Sequence, residues 1–95
     1  MNKLFSIKGK VVVITGGTGV LGGTIAAYLA EEGANVVILG RRKNAGEELV
    51  NEIRKKGFEA IFLETDVMDK NVLIANRTEI MIRYGRIDAL LNAAG

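Results

Sequence analysis

A doubly wound α/β parallel sheet is the fold class this chain predicts, and three observations carry it. Apolar runs at residues 11–14 (VVVI), 35–39 (NVVIL), 59–63 (EAIFL) and 87–91 (IDALL) alternate with segments of helical periodicity. Each helical segment closes on a glycine, at Gly33, Gly57 and Gly85. The first apolar run passes straight into a glycine-dense turn, TGGTGVLGG, over residues 15–23. Alternating strands and helices call for parallel strands joined by crossovers, and strands buried on both faces read as continuous apolar runs.

In order, residues 2–9 are a lead-in expected to cover one end of the sheet, and 11–14 form the first strand. Leu21, Ile25 and Leu29, with Ala26, Ala27 and Ala30 between them, are the expected buried stripe of the first helix. Gly33 stands where a left-handed cap belongs. After the second strand, Asn44 with Glu47 three residues on predicts a capped start to the second helix, whose stripe is Leu49, Val50 and Ile53. Asp69 is placed to cap the third helix, which runs to about Tyr84. In that helix Val72, Ala75, Glu79 and Ile82 share a side, while Leu73, Ile74, Ile80 and Met81 widen the apolar surface. Such breadth points to cover from something besides the sheet, such as a partner subunit. Asp88 reads as structural, at the start of the fourth strand.

With right-handed crossovers, strands two and three lie on one side of strand one and strand four on the other, giving the order 3-2-1-4. The crevice between the carboxyl ends of strands one and four is then the topological switch point, where ligands bind in such sheets. The turn at 15–22 and the final Asn92-Ala93-Ala94-Gly95 both arrive there.

Composition narrows the chemistry. The 95 residues carry a net charge of +2, with 48% hydrophobic residues and neither Cys nor His. That excludes disulfides, thiolate or imidazole catalysis and the usual zinc sites. So small a charge gives no reason to expect nucleic acid as the main partner. Lys8 and Lys10 break the N-terminal apolar patch before a signal sequence forms, and no apolar run approaches a membrane span. The cytoplasm is the expected location, with no membrane partner.

The glycine turn has two readings: a cradle for a diphosphate, made by backbone N–H groups at a helix N-terminus, or merely a tight connection. A Walker A loop is excluded, because Gly23-Thr24 follows Gly22 where Lys and Ser or Thr would be needed. A methyltransferase-type site is disfavoured too, since no carboxylate ends the second strand. That place holds Gly40, followed by Arg41, Arg42 and Lys43. An acidic residue there would accept from the ribose 2′-OH of NAD; guanidinium groups instead suit a 2′-phosphate. The cluster therefore favours NADP over NAD, the plainer alternative being a solvated basic helix start. Asp66, after the third strand, suits either the adenine amine or a loop capping role. Asn92 suits either a brace between strands or an ordinary turn.

Taken together, T15-G-G-T-G-V-L-G22, G40-R41-R42, D66-V67 and N92-A-A-G95 resemble the short-chain dehydrogenase/reductase family in order and spacing across nearly the whole chain. The resemblance implies a Rossmann-type fold in which Gly16, Thr18, Gly19 and Leu21 line the pyrophosphate. It implies Arg41, beside Arg42, at the 2′-phosphate, Asp66 and Val67 at adenine, and Asn92 and Ala94 near the ribose and nicotinamide. The compact branch of the family carries glycine where this chain has Val20, whereas the N-A-A-G ending suits that branch. The segment TGGTGVLGG is similar to compact-branch sugar-acid reductases of the mannonate/fructuronate oxidoreductase type.

The resemblance further implies a hydride transfer between nicotinamide and a carbonyl or secondary alcohol. The family's Ser and Tyr-x-x-x-Lys would lie beyond Gly95, since neither Tyr28 nor Tyr84 is followed by Lys four residues later. Residues 1–95 are thus expected to be the cofactor-binding part of a single-domain reductase, truncated before the catalytic half and inactive alone. Its partners would be the dinucleotide, a small-molecule substrate for the complete enzyme and further copies in a homo-oligomer. The alternative is a non-catalytic NADP-sensing module of the same fold. No metal site is expected.

Overall fold

The computed structural model describes residues 6–16 and 18–93. Its elements follow the expected alternation: β1 (Val11–Thr15), α1 (Val20–Glu31), β2 (Asn35–Gly40), α2 (Lys43–Lys55), β3 (Ala60–Glu64), α3 (Lys70–Tyr84) and β4 (Ala89–Asn92). The four strands form one parallel sheet in the order β3-β2-β1-β4. This is a Rossmann-type α/β half, with three helices.

The apolar runs are explained by two cores, one on each face of the sheet. Val12, Ile14, Val36, Ile38 and Ala60 point to one face and pack with Ala26 and Ala30 of α1 and Val50 and Ile53 of α2. Val11, Val13, Val37, Leu39 and Ile61 point to the other and meet Ile80 of α3. Alternate residues serve opposite cores, so residues 11–14 of β1 and 36–39 of β2 are all apolar and buried.

Three local expectations need correction. In α1, Ala26 and Ala30 are buried as expected and are joined by Gly22, whereas Leu21 is 66% exposed and Ile25 and Leu29 only flank the core. Small side chains let the helix axis approach the sheet, and this turns the larger residues outward. The start of α2 is Arg42, not Asn44: the Arg42 carbonyl accepts from Gly46 N–H at 2.9 Å, and no side chain caps the helix. In α3 the inward face carries Leu73, Asn76, Ile80 and Tyr84, while Ile74 and Ile82 are 59% and 81% exposed.

The helix-end signals at Gly33 and Asp69 hold. α1 ends in a Schellman pair, with Gly33 N–H donating to Ala30 O (3.0 Å) and Ala34 N–H to Leu29 O (3.1 Å). Gly33 supplies the left-handed φ of +95° that this ending requires. Asp69 caps α3, its Oδ1 accepting from Asn71 N–H (3.0 Å) and Val72 N–H (3.3 Å). In α2, a Cβ on Gly46 would overlap the Phe62 ring, so glycine lets α2 lie directly on β3.

Asp88 joins β4 to β1 through both its backbone and its side chain. Its N–H donates to Val11 O at 2.9 Å, and its carboxylate accepts from Val11 N–H at 2.8 Å and from Arg86 at 2.7 Å. The Arg86 hydrogen bond, then that of Val11, holds the Asp88 carboxyl below its ordinary pKa. At the far edge, Glu59 accepts from the Tyr84 hydroxyl (3.0 Å) and lies 3.9 Å from both Arg54 and Arg83. Burial pushes the Tyr84 hydroxyl pKa up, and the carboxylate adds to that rise. Among the described residues, no helix is long and apolar enough to cross a membrane.

Candidate functional site: the cleft at the sheet's switch point

β1 and β4 are neighbours in parallel register, with Thr15 beside Asn92. Their carboxyl ends open into a cleft of about 820 Å³, a size ordinary for a small-molecule site. Gly16 turns the chain out of β1 with φ +72°, a conformation only glycine adopts without strain. Its N–H donates to Leu39 O (3.2 Å) and its carbonyl accepts from Gly19 N–H (3.3 Å), closing the turn that opens α1.

Gly19 is the N-cap of α1, and no side chain caps that end or places an acid in the first turn. A Cβ on Gly19 would meet only Gly16 O, at 3.6 Å, and its φ of −78° suits any residue. Neither packing nor backbone geometry calls for glycine there. The bare position leaves the positive end of the α1 dipole open to the cleft.

Charge is distributed on one sign. Arg41 and Arg42, at the end of β2, and Arg77, on α3, all line the cleft, and among the described residues no Asp or Glu does. On the opposite side, the Thr15 hydroxyl donates to Asn92 Oδ1 at 3.2 Å, which braces β1 against β4. Ala93 N–H donates to Thr15 O (2.9 Å) and continues the pairing.

Of the residues singled out from the sequence, Gly16, Thr18, Gly19, Arg41, Arg42, Val67 and Asn92 line one cleft. Leu21 and Asp66 are not among its lining residues. Asp66 instead accepts from Met68 N–H through its Oδ1 (3.0 Å) and from Asp69 N–H through its carbonyl (2.9 Å), which shapes the loop after β3. Gly17, Ala94 and Gly95 lie outside the described residues. The sequence reading missed Thr65, Asn76 and Arg77. Thr65 is 1% exposed; its hydroxyl donates to Leu63 O (2.9 Å) and accepts from Asn76 Nδ2 (2.6 Å). The available signal was two polar residues, Asn76 and Arg77, set between Leu73 and Ile80 on an apolar helix face.

The family profile described as short chain dehydrogenase matches residues 10–95, and the chain belongs to that family. It is 39% identical over 90 residues to the uncharacterized oxidoreductase UxuB of Bacillus subtilis, covering 95% of this chain and 32% of that protein. Among solved structures it is similar to a metagenomic short-chain oxidoreductase in complex with NADP. There the TM-score is 0.88 at 33% identity, covering 96% of this chain and 41% of the other. It is also similar to a putative D-mannonate oxidoreductase from Haemophilus influenza with bound NAD, with TM-score 0.90 at 30% identity, covering 97% and 33%. The chain spans about a third of the length of the curated relatives it matches.

Proposed function

We propose that this chain is the dinucleotide-binding part of an oxidoreductase that takes NADP(H) in preference to NAD(H). The observation that carries the reading is a cleft at the β1/β4 switch point that presents Arg41, Arg42 and Arg77 and, among the described residues, no carboxylate. A dinucleotide with an extra phosphate suits that charge, and the open α1 N-terminus at Gly19 suits its diphosphate. The likeness to an NADP-complexed short-chain oxidoreductase supports the same reading.

On this reading Gly16, Thr18, Gly19 and Leu21 hold the diphosphate, the last through its backbone in the first turn of α1. Arg41, with Arg42 beside it, meets the 2′-phosphate. Asp66 and Val67 flank adenine, and Asn92 and Ala94 stand toward the ribose and nicotinamide. When bound, the nicotinamide accepts or supplies hydride, the partner being a carbonyl or secondary alcohol. A sugar acid is the substrate class we favour, on the likeness to the putative D-mannonate oxidoreductase.

Among the described residues, no Tyr, Lys or Ser lines the cleft. On this reading the 95 residues bind and orient the cofactor. Nicotinamide fluorescence titrations of NADPH and NADH against the chain, and against Arg41→Asp, test the proposal. NADPH binds more tightly to the wild type, and Arg41→Asp weakens it by about tenfold or more while sparing NADH. An unchanged preference in the variant contradicts the role given to the basic cluster.

A further inference from the structure

We propose that Thr18 and Gly40 form a specificity lock. The Thr18 methyl crowds the Cβ that any side chain at position 40 would bring, so the choice of dinucleotide is held by the pair and not by Arg41 alone. The inference rests on the reading of the cleft as a dinucleotide site.

Gly40 ends β2, is buried, and accepts from Thr65 N–H at 2.7 Å. Its φ is not among the positive ones, so the backbone does not demand glycine there. Space does. A Cβ on Gly40 would lie 3.2 Å from Thr18 Cγ2, 3.6 Å from Thr18 Oγ1 and 3.5 Å from Phe62 Cε1. Phe62 has little room to retreat, because its ring fills the space that Gly46 leaves open. Thr18 belongs to the exposed turn and is only part-buried, so it is the wall that must yield.

A carboxylate at the end of the second strand is what accepts from an unphosphorylated ribose 2′-OH, and it repels a 2′-phosphate. Here the Cβ of such a residue would lie 3.2 Å from Thr18 Cγ2, so Thr18 must shift by a few tenths of an ångström to admit it. That residue immediately precedes Gly19, whose N–H closes the turn on Gly16 O. A displaced Thr18 therefore disturbs the turn at the N-terminus of α1. Gly40→Asp alone weakens both dinucleotides; Thr18→Ala removes the crowding Cγ2 and lets the carboxylate work.

The test compares the wild type, Gly40→Asp, Thr18→Ala and the double variant by NADPH and NADH titration. Thermal melting of Gly40→Ala, with and without Thr18→Ala, gives an independent reading of the packing. Gly40→Asp is expected to lose about tenfold for both dinucleotides, and the double variant to bind NADH about tenfold more tightly than Gly40→Asp does. Gly40→Ala melts below the wild type, and Thr18→Ala removes most of that loss. If Gly40→Asp alone binds NADH as well as the double variant, or Gly40→Ala melts like the wild type, the lock is wrong. The dinucleotide reading then stands wherever the wild type still takes NADPH. A wild type that binds neither dinucleotide overturns the specificity role together with the reading beneath it.

Discussion

Asn76 Nδ2 donates to Thr65 Oγ1 at 2.6 Å, tying α3 to the chain that leaves β3. Thr65 is fully buried and its hydroxyl also donates to Leu63 O, so the pair orients the loop that carries Asp66 and Val67. Asn76→Ala removes one partner and leaves Thr65 its other bond. The expected loss is about 1 kcal/mol of stability, the ordinary net worth of such a hydrogen bond. NADPH affinity falls as well, because the loop is less firmly held. Thermal melting and titration of the same variant measure both effects; an unchanged affinity would detach this loop from the cofactor.

Asp88 makes the β1–β4 junction sensitive to acid. Its carboxyl is held below its ordinary value by Arg86 and Val11 N–H. A carboxyl with a depressed pKa in the folded state adds stability that is complete above its unfolded value. That stability is lost as pH falls through the lower, folded one. Asp88→Asn should melt below the wild type at neutral pH, and the gap should close as pH drops below about 4. Melting curves across that range check it, and a gap independent of pH would contradict the ionic role.

Gly46→Ala should destabilise the chain, against the usual gain from alanine in a helix. The added methyl meets the Phe62 ring, which also borders Gly40. Overpacking of this kind costs about 1–3 kcal/mol. Phe62→Leu in the same chain should recover part of the loss. A stabilised Gly46→Ala would show that the ring moves aside freely.

The sheet's last strand is exposed along its length: Leu90 is 66% and Leu91 38% exposed, with Ile87 at 38% beside them. Among the described residues, β4 pairs with β1 alone. Open apolar edges attract further strands. The 95-residue chain made by itself is therefore expected to sediment above its monomer mass, and Leu90→Lys to reduce that association. A monodisperse, sharply melting wild-type monomer would contradict the expectation.

The strands and their order were legible because β1 and β2 serve a core on each face, which leaves an unbroken apolar run in the sequence. Helix ends were legible where one residue does the work, as Gly33 and Asp69 do. Helix rotation was less so. Gly22, Ala26 and Ala30 face the sheet in α1 because they are small, and a hydrophobic stripe points to their larger neighbours instead. In α3, apolar residues lie on several sides, so the periodicity alone does not show that Asn76 and Arg77 reach the cleft. Arg41 and Arg42 were legible because position in the chain, at the end of β2, places them. Leu21 and Asp66 fall outside the cleft lining because a motif marks a stretch of backbone, not the direction of each side chain.

Backbone amides at the β1–α1 corner are expected to hold a diphosphate across from β4. Amide chemical shifts of the ¹⁵N-labelled chain, recorded while NADPH is added, test it most directly. The largest changes are expected at Gly16, Gly19 and Leu21, with further changes at Arg41 and Asn92. Saturating NADPH that leaves the Gly16 and Gly19 amides unmoved would contradict it.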